Sequence, residues 1–128
     1  EMLTTGHNDT VLKFCKQHTC HFSHRKLDTL DYMLKPASKV IVASVCGSPI
    51  VTSKDWSVMD LLPKDYPLLV SDDRKDVVEK IEYAKSIFGT TKWSELLDIH
   101  KGIKERTSLD YLQTDYLKVF NHFGWDKK

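Results

Sequence analysis

The sequence predicts one α/β domain organised on a parallel sheet, and three observations carry that prediction. Short β-branched and aromatic runs at 19–23, 49–52 and 66–70 alternate with helical segments, the order that gives parallel strands joined by helical crossovers. The stretch Lys35–Val51, KPASKVIVASVCGSPIV, reads as a helix that is apolar on every side, a glycine stop and a buried strand. The chain has 128 residues, 41% hydrophobic and 29% charged, which suits one globular domain with a real core, spanning residues 1–128.

Taken in order, Met2–Thr5 reads as the tail of a strand and Gly6–Asp9 as a turn, with Asn8 or Asp9 as helix cap. A first helix is expected from Thr10 to about His18, with Val11, Leu12, Phe14 and Cys15 on one side. Thr19–Ser23 is a short strand, His24–Asp28 a polar loop, and Leu30–Leu34 a helical turn. Pro36 holds Lys35 out of the helical region, so a helix starts at Ala37 or Ser38, its first turn defined by Ser38 or by the proline ring. Gly47 stops it in the left-handed conformation, Pro49 forbids continuation, and Ile50–Val51 continue as strand.

Trp56–Leu62 reads as a short helix ended by Pro63, and Tyr66–Val70 as a strand. Ser71–Asp73 cap a long helix with Val77, Ile81, Ala84 and Phe88 on one face, broken by Gly89. Two more helices follow within about 91–123. The first carries Trp93, Leu96, Leu97 and Ile103, with Gly102 a weak point; the second, capped by Ser108, aligns Leu109, Leu112, Tyr116, Val119 and Phe123. Three strands are few for a parallel sheet covered on both faces, and strands upstream of Glu1 are expected to complete it.

Charge narrows the function classes. The 19 basic and 18 acidic residues leave a formal charge of +1, with no bulk field for a nucleic acid or an anionic membrane, so any anion site is local. Three cysteines, an odd number in a chain of this size, point to a reduced, cytoplasmic compartment. No secretory leader is legible and no run of 18 apolar residues suggests a membrane span. GxSxG, P-loop and HExxH patterns are absent, which removes the motif basis for a serine hydrolase, a Walker-type nucleotidase or a zinc hydrolase.

In an open α/β sheet, ligands sit beyond the carboxyl ends of the strands, where helix N-termini present N–H groups and a positive dipole end. The loop His24–Lys39 occupies that position. It brings Arg25, Lys26, Lys35 and Lys39 beside the helix opening at Ser38, a set suited to a phosphate or diphosphate and equally to a solvated basic loop. His24 is a candidate donor to a sugar or phosphate oxygen, and Asp28 and Asp31 are candidate site carboxylates. Trp56 is a pocket wall or a packing residue. Cys15, His18, Cys20, His21 and His24 are rich in metal-ligand types, but strand alternation splits them between faces and no second CxxC or HxxxH completes a tetrahedral set, so no metal is assigned.

Certain runs carry a family likeness. The pattern A-x-x-x-G-x-P-[VI]-[VI] stands as Ala43 to Val51, and a K-P-x-[ST]-K lead-in as Lys35 to Lys39. LLVSDD and the closing IKERTSLDYLQTDYLKVF follow in the same order. Together they resemble the C-terminal nucleotide-sugar-binding domain of GT-B glycosyltransferases, over roughly Gly6–Phe123. The resemblance implies a Rossmann-like donor-binding half of a GT-B fold, inactive alone, that works with an N-terminal acceptor domain in the same or another chain. It implies sugar transfer from a nucleotide diphosphate sugar, with no further cofactor, and a donor diphosphate on Arg25, Lys35, Ser38 and Lys39. One position departs from the pattern: where many members hold a ribose-binding glutamate this chain has Val42, and eight residues earlier Leu34, so the nucleotide is left open. A looser likeness, through Thr5-Gly6, Lys39, Gly47 and Trp56, is to the phosphopeptide-reading BRCT fold, a non-catalytic interaction module that would be finished near Phe88.

Overall fold

The computed structural model describes residues 5–26, 28, 30 and 35–124, with side chains from Asp9 onward. Its elements run α1 (Thr5–Cys15), β1 (His21–Ser23), α2 (Ser38–Cys46), β2 (Ile50–Ser53), α3 (Trp56–Leu61), β3 (Leu69–Val70), α4 (Arg74–Ile87), α5 (Thr91–Arg106) and α6 (Leu109–His122). Among the described residues the sheet has three strands in the order β1-β2-β3, all parallel. His21 stands opposite Ile50 and Ser23 opposite Thr52; Thr52 then stands opposite Leu69 and Ser53 opposite Val70.

Successive residues of β2 face opposite sides of the sheet. Ile50 shares a groove with Val42 of α2, whereas Val51 shares one with Ile81 and Ala84 of α4, so helices cover both faces. That double cover is why β2 is buried at all four positions and its sequence is an unbroken run rather than an alternating one. The core joins Val40 and Ala43 of α2 to Ile50, Val51, Leu69 and Val70 of the sheet and to Trp93, Leu96 and Ile103 of α5. Each such Val, Leu or Ile, fully removed from water, contributes about 1.5–3 kcal/mol before the entropy of ordering is subtracted.

Gly47 has φ 71° and ψ 35°, the left-handed geometry that closes α2, and N–H groups of Gly47 and Ser48 bond the carbonyls of Ser44 and Ala43. Asp55, Asp73 and Ser108 cap α3, α4 and α6 through side chains that accept from Val58, Lys75 and Tyr111 N–H groups. α5 runs unbroken through Gly102 and packs along α2; it lies at the end of the sheet where β2 and β3 begin, bonded there through Tyr66.

Several expectations require correction. The first helix starts at Thr5, so Gly6–Asp9 is helix rather than turn and neither Asn8 nor Asp9 caps it; the segment ends at Cys15, before His18. The helix starts at Ser38, within the expected bounds; Ala37 holds its N-cap position and no side-chain cap bond is made. Strands β1 and β3 are shorter than the runs that announced them, because Tyr66–Leu68 forms a turn leading into β3. Met2–Thr4 and Asp31–Leu34 lie outside the described residues. No helix among the described residues is long and apolar enough to cross a membrane.

Candidate functional site

The carboxyl ends of the three strands make one rim. β1 delivers His24 and Arg25 to it, β2 delivers Lys54 and Asp55, and β3 delivers Ser71 and Asp72. Side chains tie the rim together: Arg25 N–H donates to Ser53 Oγ at 3.0 Å, and His24 Nε2 lies 3.3 Å from Asp72 Oδ1, joining the ends of β1 and β3.

Arg25 is the organiser of this rim. Its two terminal nitrogens donate to the carbonyls of Lys35 at 2.9 Å and Pro36 at 2.8 Å, and its guanidinium stands 3.6 Å from the Asp55 carboxylate. The planar fork of arginine is suited to two adjacent acceptors. Asp55 is 1% exposed and meets the charge of Arg25 while capping α3 at Val58 N, 3.0 Å away. The Ser57 hydroxyl is within hydrogen-bond reach of both the Lys35 carbonyl and Asp55 Oδ1. The guanidinium therefore serves the loop that leads into α2, and the approach to that helix is fixed by three side chains.

That loop sets the N-terminus of α2 at the rim, because α2 follows β1 in a parallel crossover. Ala37 offers no side chain to the first-turn N–H groups, whereas Ser38 and Lys39 are exposed immediately beyond it, as is Lys35 before it. The first turn of α2 holds no acidic residue. An uncapped helix start with its positive dipole end and two lysines is chemically suited to an anion. Lys39 also borders a groove of about 410 Å³ whose walls include Phe14, His18, Phe22 and Val42.

The other residues singled out by sequence are dispersed. Asp28 pairs with Lys26 at 2.8 Å, and that hydrogen bond holds its carboxyl below the usual range. Asp31 lies outside the described residues. Trp56 opens α3 and is half exposed. His18 packs its ring edge-on to Phe14, His21 Nε2 lies 3.2 Å from the Cys15 carbonyl, and His24 faces Asp72. No group of three or more metal-ligand side chains converges among the described residues.

Sequence pattern did not announce a buried polar chain centred on α5. His100 of α5 is fully buried; its Nδ1 lies 2.7 Å from Ser44 Oγ and its Nε2 3.0 Å from the Tyr66 hydroxyl. Ser44 Oγ in turn donates to Val40 O at 2.8 Å, and Ile50 N–H donates to the Tyr66 oxygen at 3.1 Å. Burial depresses the His100 pKa to about 4, with the charge of nearby His21 adding to the effect, and burial raises that of Tyr66. A Ser–His pair at this distance suggests nucleophilic chemistry, yet Ser44 is 1% exposed and shut off from any substrate, so the chain binds elements together. The available signal was a histidine between Leu96, Leu97, Ile99 and Ile103, a position where a polar ring needs internal partners.

No family model, curated protein or solved structure matches this chain.

Proposed function

We propose that this chain is the donor-binding domain of a glycosyltransferase, taking a nucleotide diphosphate sugar and serving an acceptor domain in the same or another chain. The observation that carries the reading is the start of α2: a helix without a side-chain cap, opening at the carboxyl rim of a parallel sheet between Lys35 and Lys39. In this reading the first-turn N–H groups and the Ser38 hydroxyl take the diphosphate oxygens, and Lys35 and Lys39 offset charge as the sugar leaves. Arg25 holds the lead-in through the Lys35 and Pro36 carbonyls and completes the positive surface with its remaining donors. In the same reading His24, at the end of β1, exchanges Asp72 for a sugar or phosphate oxygen. The groove beside Lys39 has the size and aromatic walls for a nucleoside.

The interaction-module alternative fits less well. Trp93, Leu96, His100 and Ile103 of α5 are buried in the common core, so the fold is not finished near Phe88.

The test is a nuclear magnetic resonance titration of the chain with uridine and guanosine diphosphates. Shifts clustered at Lys35–Lys39 and Arg25, with affinity falling about tenfold in Lys39→Ala at unchanged Tm, support the reading; a tenfold loss corresponds to one removed charge contact of about 1.4 kcal/mol. Shifts clustered elsewhere, or none, overturn it.

A further inference from the structure

α6 stands apart from the rest of the fold. None of its residues from Leu109 to His122 is buried, although Leu109, Leu112, Tyr116, Val119 and Phe120 gather on one face. The groove between α5 and α6 is lined on the α6 side by Ser108, Asp110, Tyr111 and Thr114, against Lys101, Lys104 and Glu105 of α5. On a helix of 3.6 residues per turn, Asp110, Tyr111 and Thr114 lie opposite Leu109, Leu112, Tyr116, Val119 and Phe120. The polar face is thus turned to the chain's own body and the apolar face away from it. Leu109 is 80% exposed and Tyr116 65%.

We propose that this face is covered by the same face of a second copy of the chain, with the two α6 helices antiparallel about a two-fold axis at Tyr116. Two apolar pairs of the stripe are disposed symmetrically about that residue. Leu109 and Phe123 lie seven residues to either side, and Leu112 and Phe120 four to either side. An antiparallel pair centred there sets Leu109 beside the second copy's Phe123, Leu112 beside its Phe120 and Tyr116 beside its Tyr116, the self-complementary contact an isologous interface requires; Val119 comes level with Gln113.

Charge favours the same orientation. The acidic residues Asp110 and Asp115 lie in the N-terminal half of the helix, and Lys118 and His122 in the C-terminal half. Asp115 and Lys118 pair within the helix at 2.9 Å. An antiparallel pair sets the acidic half of each helix alongside the basic half of the other and lets the two helix dipoles run in opposite directions, whereas a parallel pair aligns like with like. The exposed stripe on two copies amounts to on the order of 1,000 Å², the size at which specific interfaces begin. The proposal is independent of the diphosphate reading, since α6 contributes nothing to the rim.

Sedimentation equilibrium of the whole chain between 5 and about 200 µM tests it, a range set for a modest interface of this size. The expected result is a reversible monomer–dimer equilibrium for the natural sequence. In Tyr116→Asp, which places two like charges at the axis, the dimer dissociation constant should rise at least about a hundredfold with helical content and Tm of the monomer unchanged. The axis is read by oxidation of Tyr116→Cys and the orientation by oxidation of Leu109→Cys, which lies beside its own copy only in a parallel pair, each followed by peptide mass mapping that distinguishes the new thiol from Cys15, Cys20 and Cys46. A 116–116 cross-link is expected. A natural chain that stays monomeric at the highest concentration, or a Tyr116→Asp chain that dimerises as the natural one does, overturns the proposal and assigns the face to a different partner. A 109–109 cross-link, with or without one at 116, overturns the antiparallel arrangement.

Discussion

His100 Nδ1 and Ser44 Oγ, 56 positions apart in sequence, stand 2.7 Å apart in the core and fix the direction of every proton in the chain they belong to. Ser44 gives its only hydroxyl proton to the Val40 carbonyl, so His100 must donate from Nδ1. Nε2 is then an acceptor, which receives the Tyr66 hydroxyl proton, and the Tyr66 oxygen receives Ile50 N–H. This arrangement, like burial, favours neutral imidazole.

Stability should therefore fall with acidification. The folded pKa of His100, about 4, is below its ordinary value of 6.5, so between these values the unfolded chain binds more protons than the folded one. The contribution is fully present above pH 6.5 and is lost as pH falls toward 4, amounting to about 3 kcal/mol. Urea unfolding at pH 7.0, 5.5 and 4.5 measures it. In His100→Asn, whose amide can still donate to Ser44, the slope across this window should flatten.

Tyr66→Phe removes one oxygen and strands two buried groups, Ile50 N–H and His100 Nε2. A loss of about 2–4 kcal/mol is expected, two unsatisfied groups at about 1–2 each. Its coupling with His100→Asn in a double-mutant cycle should exceed about 0.5 kcal/mol; independence of the two would separate them into unrelated sites.

Arg25→Ala should loosen the lead-in to α2. Two charge-assisted bonds to the Lys35 and Pro36 carbonyls go, and Asp55, 1% exposed, loses its cation. A cost of about 2–3 kcal/mol is expected. Amide hydrogen exchange should speed up at Val40 and Ile41, whose N–H groups bond the Ala37 carbonyl, more than in α5. Arg25→Lys should restore little, because a point charge cannot span both carbonyls.

Gly47→Ala isolates a backbone effect. No atom lies within 4 Å of the position a Cβ would take, so the cost comes from φ alone and should be about 1 kcal/mol. A much smaller loss on chemical denaturation would mean that α2 ends differently in solution.

Much of this architecture was legible because local signals agreed with one another. Pro36 and Gly47 bracket α2, Ser108 caps α6, and the unbroken apolar run at Ile50 announces a strand covered on both faces. The N-terminal helix was misjudged because Gly6, Asn8 and Asp9 each favour a turn, and their weak preferences were read as a boundary that helix propagation overrode. At the rim, the sequence placed Arg25, Lys35, Ser38 and Lys39 in one neighbourhood. It did not show that Arg25 faces two carbonyls and Asp55, since Asp55 is 30 residues away and reaches it only through the β1–β2 pairing. The His100 chain was invisible for the same reason: each partner comes from a different element.

One consequence follows from where α5 lies. By bonding beneath the starts of β2 and β3, it gives the domain a stiff floor opposite an open crest, and the two ends of the same strands answer to different demands. Changes at the floor are felt as folding energy throughout the molecule. The crest residues, Lys35, Ser38, Lys39 and Trp56, are exposed. Exchanging them costs little cohesion, which leaves that end free to be reshaped for a new ligand while the strands beneath it stay as they are.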